Sequence, residues 1–174
     1  MWCRIFLTGK SFASFAGSAQ APALLFPMEV LFESYTAALL KKKLDGSRFA
    51  VLVQDKTHYL FDEPGKKFLL RPDIVVKRKS DGAIFVLDTK WKVLDLGKTN
   101  YGISQADMYQ MFAYQKKYGA EHMTLLYPET EKVPPDRRIE FRADDGAAVL
   151  VKFIDLFHPE ESLTNVIQSF EAPC

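Results

Sequence analysis

Apolar residues recur along this chain in two distinct periods. From Met28, the positions Met28, Leu31, Phe32, Tyr35, Leu39 and Leu40 follow one another at three- and four-residue steps, the spacing of one helix face. Lys41, Lys42 and Lys43 suit the carboxyl end of that helix, and Asp45-Gly46 stops it. The period then shortens. Residues 49–53 and 58–61 read as a pair of short strands separated by a polar turn and closed by Glu63-Pro64-Gly65. Residues 68–76 and 83–90 read as two further strands. Ser80-Asp81-Gly82 joins them, and Asp-Gly is a strong hairpin signal, so they are expected to be antiparallel neighbours.

After Gly102 the helical period returns over residues 103–118, with Gly119 as its stop. An apolar strand over 122–127 ends at Pro128, and a polar, proline-containing loop covers 129–137. Residues 139–142 and 149–154 are predicted strands, and Pro159 opens a last amphipathic helix that runs to Phe170. Residues 1–27 read as a short helix or strand followed by a loop, punctuated by Pro22 and Pro27. The order predicts an α/β domain, a mixed central sheet flanked by helices, with no internal repeat and no interdomain linker.

A chain of 174 residues suits one domain with a real hydrophobic core. No Cys-x-x-Cys pair or Cys/His cluster is present, which argues against a zinc site. Cys3 and Cys174 read as free thiols of a reducing cytosol. Thr8, Gly9 and Lys10 break the apolar run Ile5-Phe6-Leu7 too early for a secretory leader, and no stretch is long enough to span a membrane. The expected location is therefore the cytoplasm. Net charge is only +1, but it is unevenly spread: between Lys41 and Lys98 there are 14 Lys/Arg against 8 Asp/Glu. Such a basic middle marks a polyanion-facing surface or an ordinary solvated one, and charge alone favours the second.

The chemistry gathers where the apolar pattern is strongest. Side chains two apart on a strand share a face, so Ile84, Val86, Asp88 and Lys90 point one way and Phe85, Leu87, Thr89 and Trp91 the other. Asp73 opens the preceding strand, and antiparallel pairing sets the start of one strand beside the end of the next. Asp73, Asp88 and Lys90 are thus expected at one rim of the sheet. Two adjacent carboxylates repel each other unless a cation sits between them. Lys90 supplies one. A hard divalent ion such as Mg²⁺ does so better, taking one or two carboxylates, a backbone carbonyl and waters. An ion held there polarises a phosphoryl oxygen and activates water for attack on a phosphodiester. Lys90 is then placed to orient the nucleophile or to stabilise developing charge. Asp-x-Lys alone is a common tripeptide that fits a surface salt bridge. Pro-Asp before a β run, followed by an apolar strand ending in Asp-x-Lys, is far less common.

Pro72-Asp73 followed by Asp88-Thr89-Lys90 resembles the PD-(D/E)xK nuclease signature, and Gln105-x-x-x-Tyr109 on the next helix resembles the Gln-x-x-x-Tyr motif of its RecB-like members. The segments "LLFPMEVLFESY", "LRPDIVV", "LDTKWK" and "ISQADMYQMFAYQKKY", in this order, are together similar to McrC, the nuclease subunit of McrBC modification-dependent restriction systems. The resemblance implies a restriction-endonuclease-like core and an Mg²⁺-dependent endodeoxyribonuclease in which Mn²⁺ can substitute. Asp73 and Asp88 would hold the metal, and Lys90 would be the catalytic lysine. Glu33 would be a further acidic contributor, with Glu29 a competitor four residues earlier on the same helix face. Gln105 and Tyr109 would support the site or touch DNA. The implied partners are DNA, in modified form, and a GTP-hydrolysing AAA+ motor. No Walker A loop occurs here, so nucleotide hydrolysis would come from that partner.

McrC proteins carry a sizeable N-terminal region that engages the motor. Residues 1–27 read as a leading segment or the tail of such a region, and residues 28–174 as the nuclease domain. Two other readings stay open: a RecB-like nuclease of repair or mobile elements, and a catalytically silent module that binds DNA or stimulates a motor. His58, His122 and His158 are scattered and read as structural, and Trp91 and Tyr101 read as core aromatics rather than base-stacking platforms. Lys92, Lys77, Arg78 and Lys79 are candidates for phosphate contact or plain solvation.

Overall fold

The computed structural model describes residues 27–133 and 137–171, with the backbone of two short strands, β1 (Phe12–Ala13) and β2 (Pro22–Ala23), that pair antiparallel. The remainder of the leading segment, with Cys3, and the terminal Cys174 lie outside the described residues. Helix α1 spans Met28–Lys43. It buries Phe32, Thr36, Ala37 and Leu40, one row at helical spacing, whereas Leu31 and Tyr35 from the predicted apolar face are exposed. Each sits one residue, about 100° of helix turn, to the side of that buried row.

Eight more strands follow: β3 (Phe49–Val53), β4 (Tyr59–Phe61), β5 (Lys67–Leu69), β6 (Ile74–Arg78), β7 (Ile84–Thr89), β8 (His122–Pro128), β9 (Ile139–Arg142) and β10 (Ala148–Ile154). Six of them form one mixed sheet in the order β3-β6-β7-β8-β10-β9. The expected β6–β7 hairpin is present, with Ile74 opposite Leu87 and Lys77 opposite Ile84. The expected pairing of 49–53 with 58–61 is not: β3 pairs with β6, and β4 pairs with β5 in a separate ribbon. The predicted strand 68–76 is accordingly two strands, broken at Leu70-Arg71-Pro72. Pro72 has no N–H to give to a ladder and biases Arg71 away from regular pairing.

The link from β7 to β8 carries helix α2 (Gln105–Tyr118), and β7 and β8 run parallel, as a strand–helix–strand crossover requires. Ser104 caps α2 by accepting the Asp107 N–H, and Gly119, at φ 60°, ends it in the left-handed conformation. Strand β10 runs parallel to β8 on its other side, and β9 closes that edge antiparallel. Helix α3 spans Pro159–Gln168.

The two sheet faces hold two cores. Val75, Val86, Met123 and Leu125 pack with Met111, Tyr114 and Tyr118 of α2. Ile74, Val76, Phe85 and Leu87 pack with Phe32 and Leu40 of α1 and with Leu163, Val166 and Phe170. This is the expected α/β architecture, a sheet sandwiched between helices. It also fixes which face Asp88 occupies, the one covered by α2. No helix among the described residues is long and apolar enough to cross a membrane.

Much of the basic middle is paired within the fold. Lys43 bonds Glu160, Arg48 bonds Glu171, and Arg78 bridges Asp81, Glu121 and the Phe170 carbonyl. The acidic tail is therefore partly the counter-charge of that segment, and Arg78 is a structural tie rather than a free phosphate contact. Lys79 donates to the Ser47 carbonyl.

Candidate active site

The site lies at the carboxyl end of β7, beside the start of α2. Asp73 immediately precedes β6, one step beyond the Ile74–Leu87 pair, which sets it across from Asp88. Its Oδ2 accepts the Thr89 N–H at 2.7 Å and the Thr89 hydroxyl at 2.7 Å. The side chain thus caps the end of β7 as the ladder stops. Among the described residues no hydrogen bond falls on Asp73 Oδ1, which leaves that oxygen available.

Asp88 is only 2% exposed. Its Oδ2 forms an ion pair with the Lys90 ammonium but, among the described residues, has no well-aligned hydrogen bond. Burial, and then the negative Asp73, push its carboxyl up to about 6, with Lys90 acting in the opposite direction. Burial alone would pull the Lys90 ammonium down, but Asp88, Asp107 and Asp73 together hold it above its ordinary value. Lys90 is therefore a charged ammonium at neutral pH.

Helix α2 completes the surroundings of Lys90. Gln110 Oε1 accepts from Lys90 Nζ at 3.2 Å, and Gln110 Nε2 donates to the Tyr114 hydroxyl at 2.7 Å. Asp107 Oδ1 lies 3.6 Å from Lys90 Nζ, and its Oδ2 accepts from Lys92 Nζ at 3.2 Å. Burial would raise the Asp107 carboxyl, but the Ser104 bond and the two lysines hold it below the usual carboxylate range. The phenol of Tyr114 is raised, first by burial and then by Asp88. Tyr127, on β8, is raised by burial and then by Asp107 and Asp88; among the described residues its hydroxyl has no hydrogen-bond partner.

The residues expected from the sequence divide into three groups. Asp73, Asp88 and Lys90 come together. Glu33 stands nearby: its Oε1 accepts from Gln54 at 2.7 Å, and its carboxyl is raised by burial, held back by Gln54, and raised further by Asp73. Glu29 is exposed in the first turn of α1, so Glu33 is the better placed of the two acids. Gln105 and Tyr109 bond each other on the outer side of α2, where Tyr109 is 66% exposed. Among the described residues neither bonds Asp73, Asp88 or Lys90.

A second Gln-x-x-x-Tyr, Gln110 with Tyr114, follows directly after the first on the same helix, and this pair meets Lys90. The signal was therefore in the sequence twice, and spacing alone does not choose between the copies. Asp107 has no motif; the only clue was two lysines, Lys90 and Lys92, in need of acidic partners. Trp91 and Tyr101 pack into the two cores, Trp91 against Phe32 at 5.5 Å and Tyr101 against Phe141 at 6.3 Å between ring centroids. The histidines lie outside the site, His58 against Tyr118, His122 against Phe85 and His158 with Asp155.

Among the described residues no three His, Cys, Asp or Glu side chains gather into a ligand cluster. A closed cage of the structural-zinc kind is therefore not formed there. Two carboxylates do fit Mg²⁺, which keeps several waters and takes one or two carboxylates together with substrate phosphate. The buried Asp88 carboxylate, balanced among the described residues by Lys90, is the feature that suits a cation.

No curated protein matches the chain. Among solved structures, a chain from the Thermococcus gammatolerans assembly of McrB AAA+ hexamers with bound McrC shares the fold, with a TM-score of 0.60 and 22% identity, over 80% of this chain and 33% of that one. The present chain thus spans about a third of that relative's length. A family profile described as "McrBC 5-methylcytosine restriction system component" matches residues 1–128, which contain every segment on which the McrC resemblance rests. On that match, the chain belongs to the McrBC 5-methylcytosine restriction system component family.

Proposed function

We propose that residues 28–174 form the Mg²⁺-dependent DNA endonuclease domain of an McrBC-type restriction system. The observation that carries the reading is the convergence of Asp73, Asp88 and Lys90 at the end of β7. Asp73 and Asp88 would hold the metal. When bound, the ion would polarise a phosphoryl oxygen and favour ionisation of an attacking water.

The protein's own groups do the rest. Lys90, kept charged by its acidic neighbours, stabilises charge that builds on the phosphate oxygens or orients the nucleophile. Gln110 holds the Lys90 ammonium from the helix side, and Tyr114 fixes Gln110. Thr89 clamps Asp73 through two bonds and so presets one ligand. Glu33 adds negative charge at the rim. Gln105 and Tyr109, on the exposed side of α2, are placed to touch DNA rather than Lys90.

We read the substrate as modified DNA and the partner as a GTP-hydrolysing AAA+ motor; the family description and the fold shared with a chain of the McrB–McrC assembly support both. The test is cleavage of duplexes with and without 5-methylcytosine, in Mg²⁺ or in EDTA, with the cognate motor and GTP. Products that need Mg²⁺ and the modification support the reading. Absence of products from every duplex would contradict it.

A further inference from the structure

Asp107 has no place in the motifs that suggested the site, yet it is only 8% exposed and holds two lysines at once. Burying a carboxylate is costly unless it is paired, so its location asks for a reason. Among the described residues, the Lys90 ammonium has three polar neighbours: Asp88 of its own strand end, and Gln110 and Asp107 of α2. On the Asp88 side the ammonium lies against the carboxylate that a metal would take. Two cations compete for one carboxylate, so a metal at Asp88 needs Lys90 to shift its weight elsewhere. The only other carboxylate that Lys90 reaches among the described residues is Asp107, at 3.6 Å.

Building on the metal reading above, we infer that Asp107 is a positioning residue, the second seat of the Lys90 ammonium, which holds the lysine off Asp88 when a divalent cation binds. Ser104 fixes this seat by capping α2 through the Asp107 N–H at 3.1 Å, and Lys92, at 3.2 Å, holds the other carboxylate oxygen. Lys90 therefore keeps its charge and stays close to the substrate phosphate while leaving the ligand oxygen to the metal. Gln110 guides the same movement as a neutral acceptor.

The experiment is a Mn²⁺ titration by calorimetry, without DNA, on the parent, Asp107→Asn, Lys90→Ala and the double variant. Without its second seat, Lys90 competes harder for Asp88, so Asp107→Asn should raise the Mn²⁺ Kd about fivefold or more, the lower end of ordinary coupling between sites. In the Lys90→Ala background the same change should move Kd by less than about twofold, because the coupling runs through the lysine. An equal loss in both backgrounds would overturn the inference, since Asp107 would then act by its charge alone. So would an unchanged Kd in Asp107→Asn. If Asp107→Asn does not fold, Asp107→Ser carries the same comparison. Asp88→Asn serves as the control: a parent that binds no Mn²⁺, or binds it equally without Asp88, refutes the metal reading itself, a result distinct from a parent that binds normally and shows no coupling.

Discussion

Asp88→Asn should make the metal-free protein more stable at neutral pH, not less. Asp88 is buried, and its carboxyl has a pKa of about 6 against an ordinary 3.8. A carboxyl raised in this way keeps its proton in the folded state over a range where the unfolded chain has released it. Stability is then lost as pH rises from about 3.8 through about 6, and at pH 7 the full cost is present. The difference between the two values converts to about 3 kcal/mol. The Lys90 attraction is already contained in that value, and in the variant Lys90 keeps Asp107 and Gln110. A net gain of about 1–2 kcal/mol at pH 7 is expected. The assay is urea unfolding of parent and variant in EDTA at pH 7 and pH 5. The gain should shrink at pH 5, where the parent carboxyl is mostly protonated. A variant less stable than the parent at pH 7 by 1 kcal/mol or more would mean that Asp88 serves the fold through its ion pair rather than being tolerated in spite of its burial.

Three further outcomes follow. Gln110→Ala should lower kcat at least about tenfold, equivalent to about 1.4 kcal/mol of transition-state stabilisation, while Tyr109→Ala should act mainly on KM; equal kcat effects would put both Gln-x-x-x-Tyr pairs at the site. Millimolar Mn²⁺ should raise the melting temperature of the parent but not of an Asp73→Asn, Asp88→Asn double variant, because binding only to the folded state stabilises it; an equal shift in both would place the ion elsewhere. Gly119→Ala should cost about 1 kcal/mol in a thermal or urea melt, since alanine is strained at the φ of 60° that ends α2.

What could be read from the sequence followed from short-range rules. Ser80-Asp81-Gly82 gave the β6–β7 hairpin, and with it the meeting of Asp73 and Asp88 across a gap of fifteen residues. The helix with Ser104 and Gly119 at its ends was equally legible. What was lost depends on contacts between distant segments. Strand β3 ends beside β6 rather than β4, a choice made by the Ile74 and Phe49 side chains that pack into one core. The phase of α2 is similar. Gln105 and Gln110 are five residues apart, about 140° around the helix, so at most one of the two pairs can face Lys90. The sheet decides which: Met111, Tyr114 and Tyr118 fill the core, and Gln110 rides at the edge of that face. Asp107 was invisible for the same reason, because its value lies in Lys90 and Lys92, which only the tertiary fold brings within 3.6 Å and 3.2 Å.

The most direct measurement is single-turnover cleavage of a methylated duplex in Mg²⁺ by the motor-bound parent, Asp88→Ala and Lys90→Ala, each checked for a cooperative melt. The account predicts that both variants fold and bind the motor, and that each loses cleavage by about a thousandfold or more, as expected when a group central to charge stabilisation is removed. A folded Asp88→Ala that cuts at the parent's rate would contradict it.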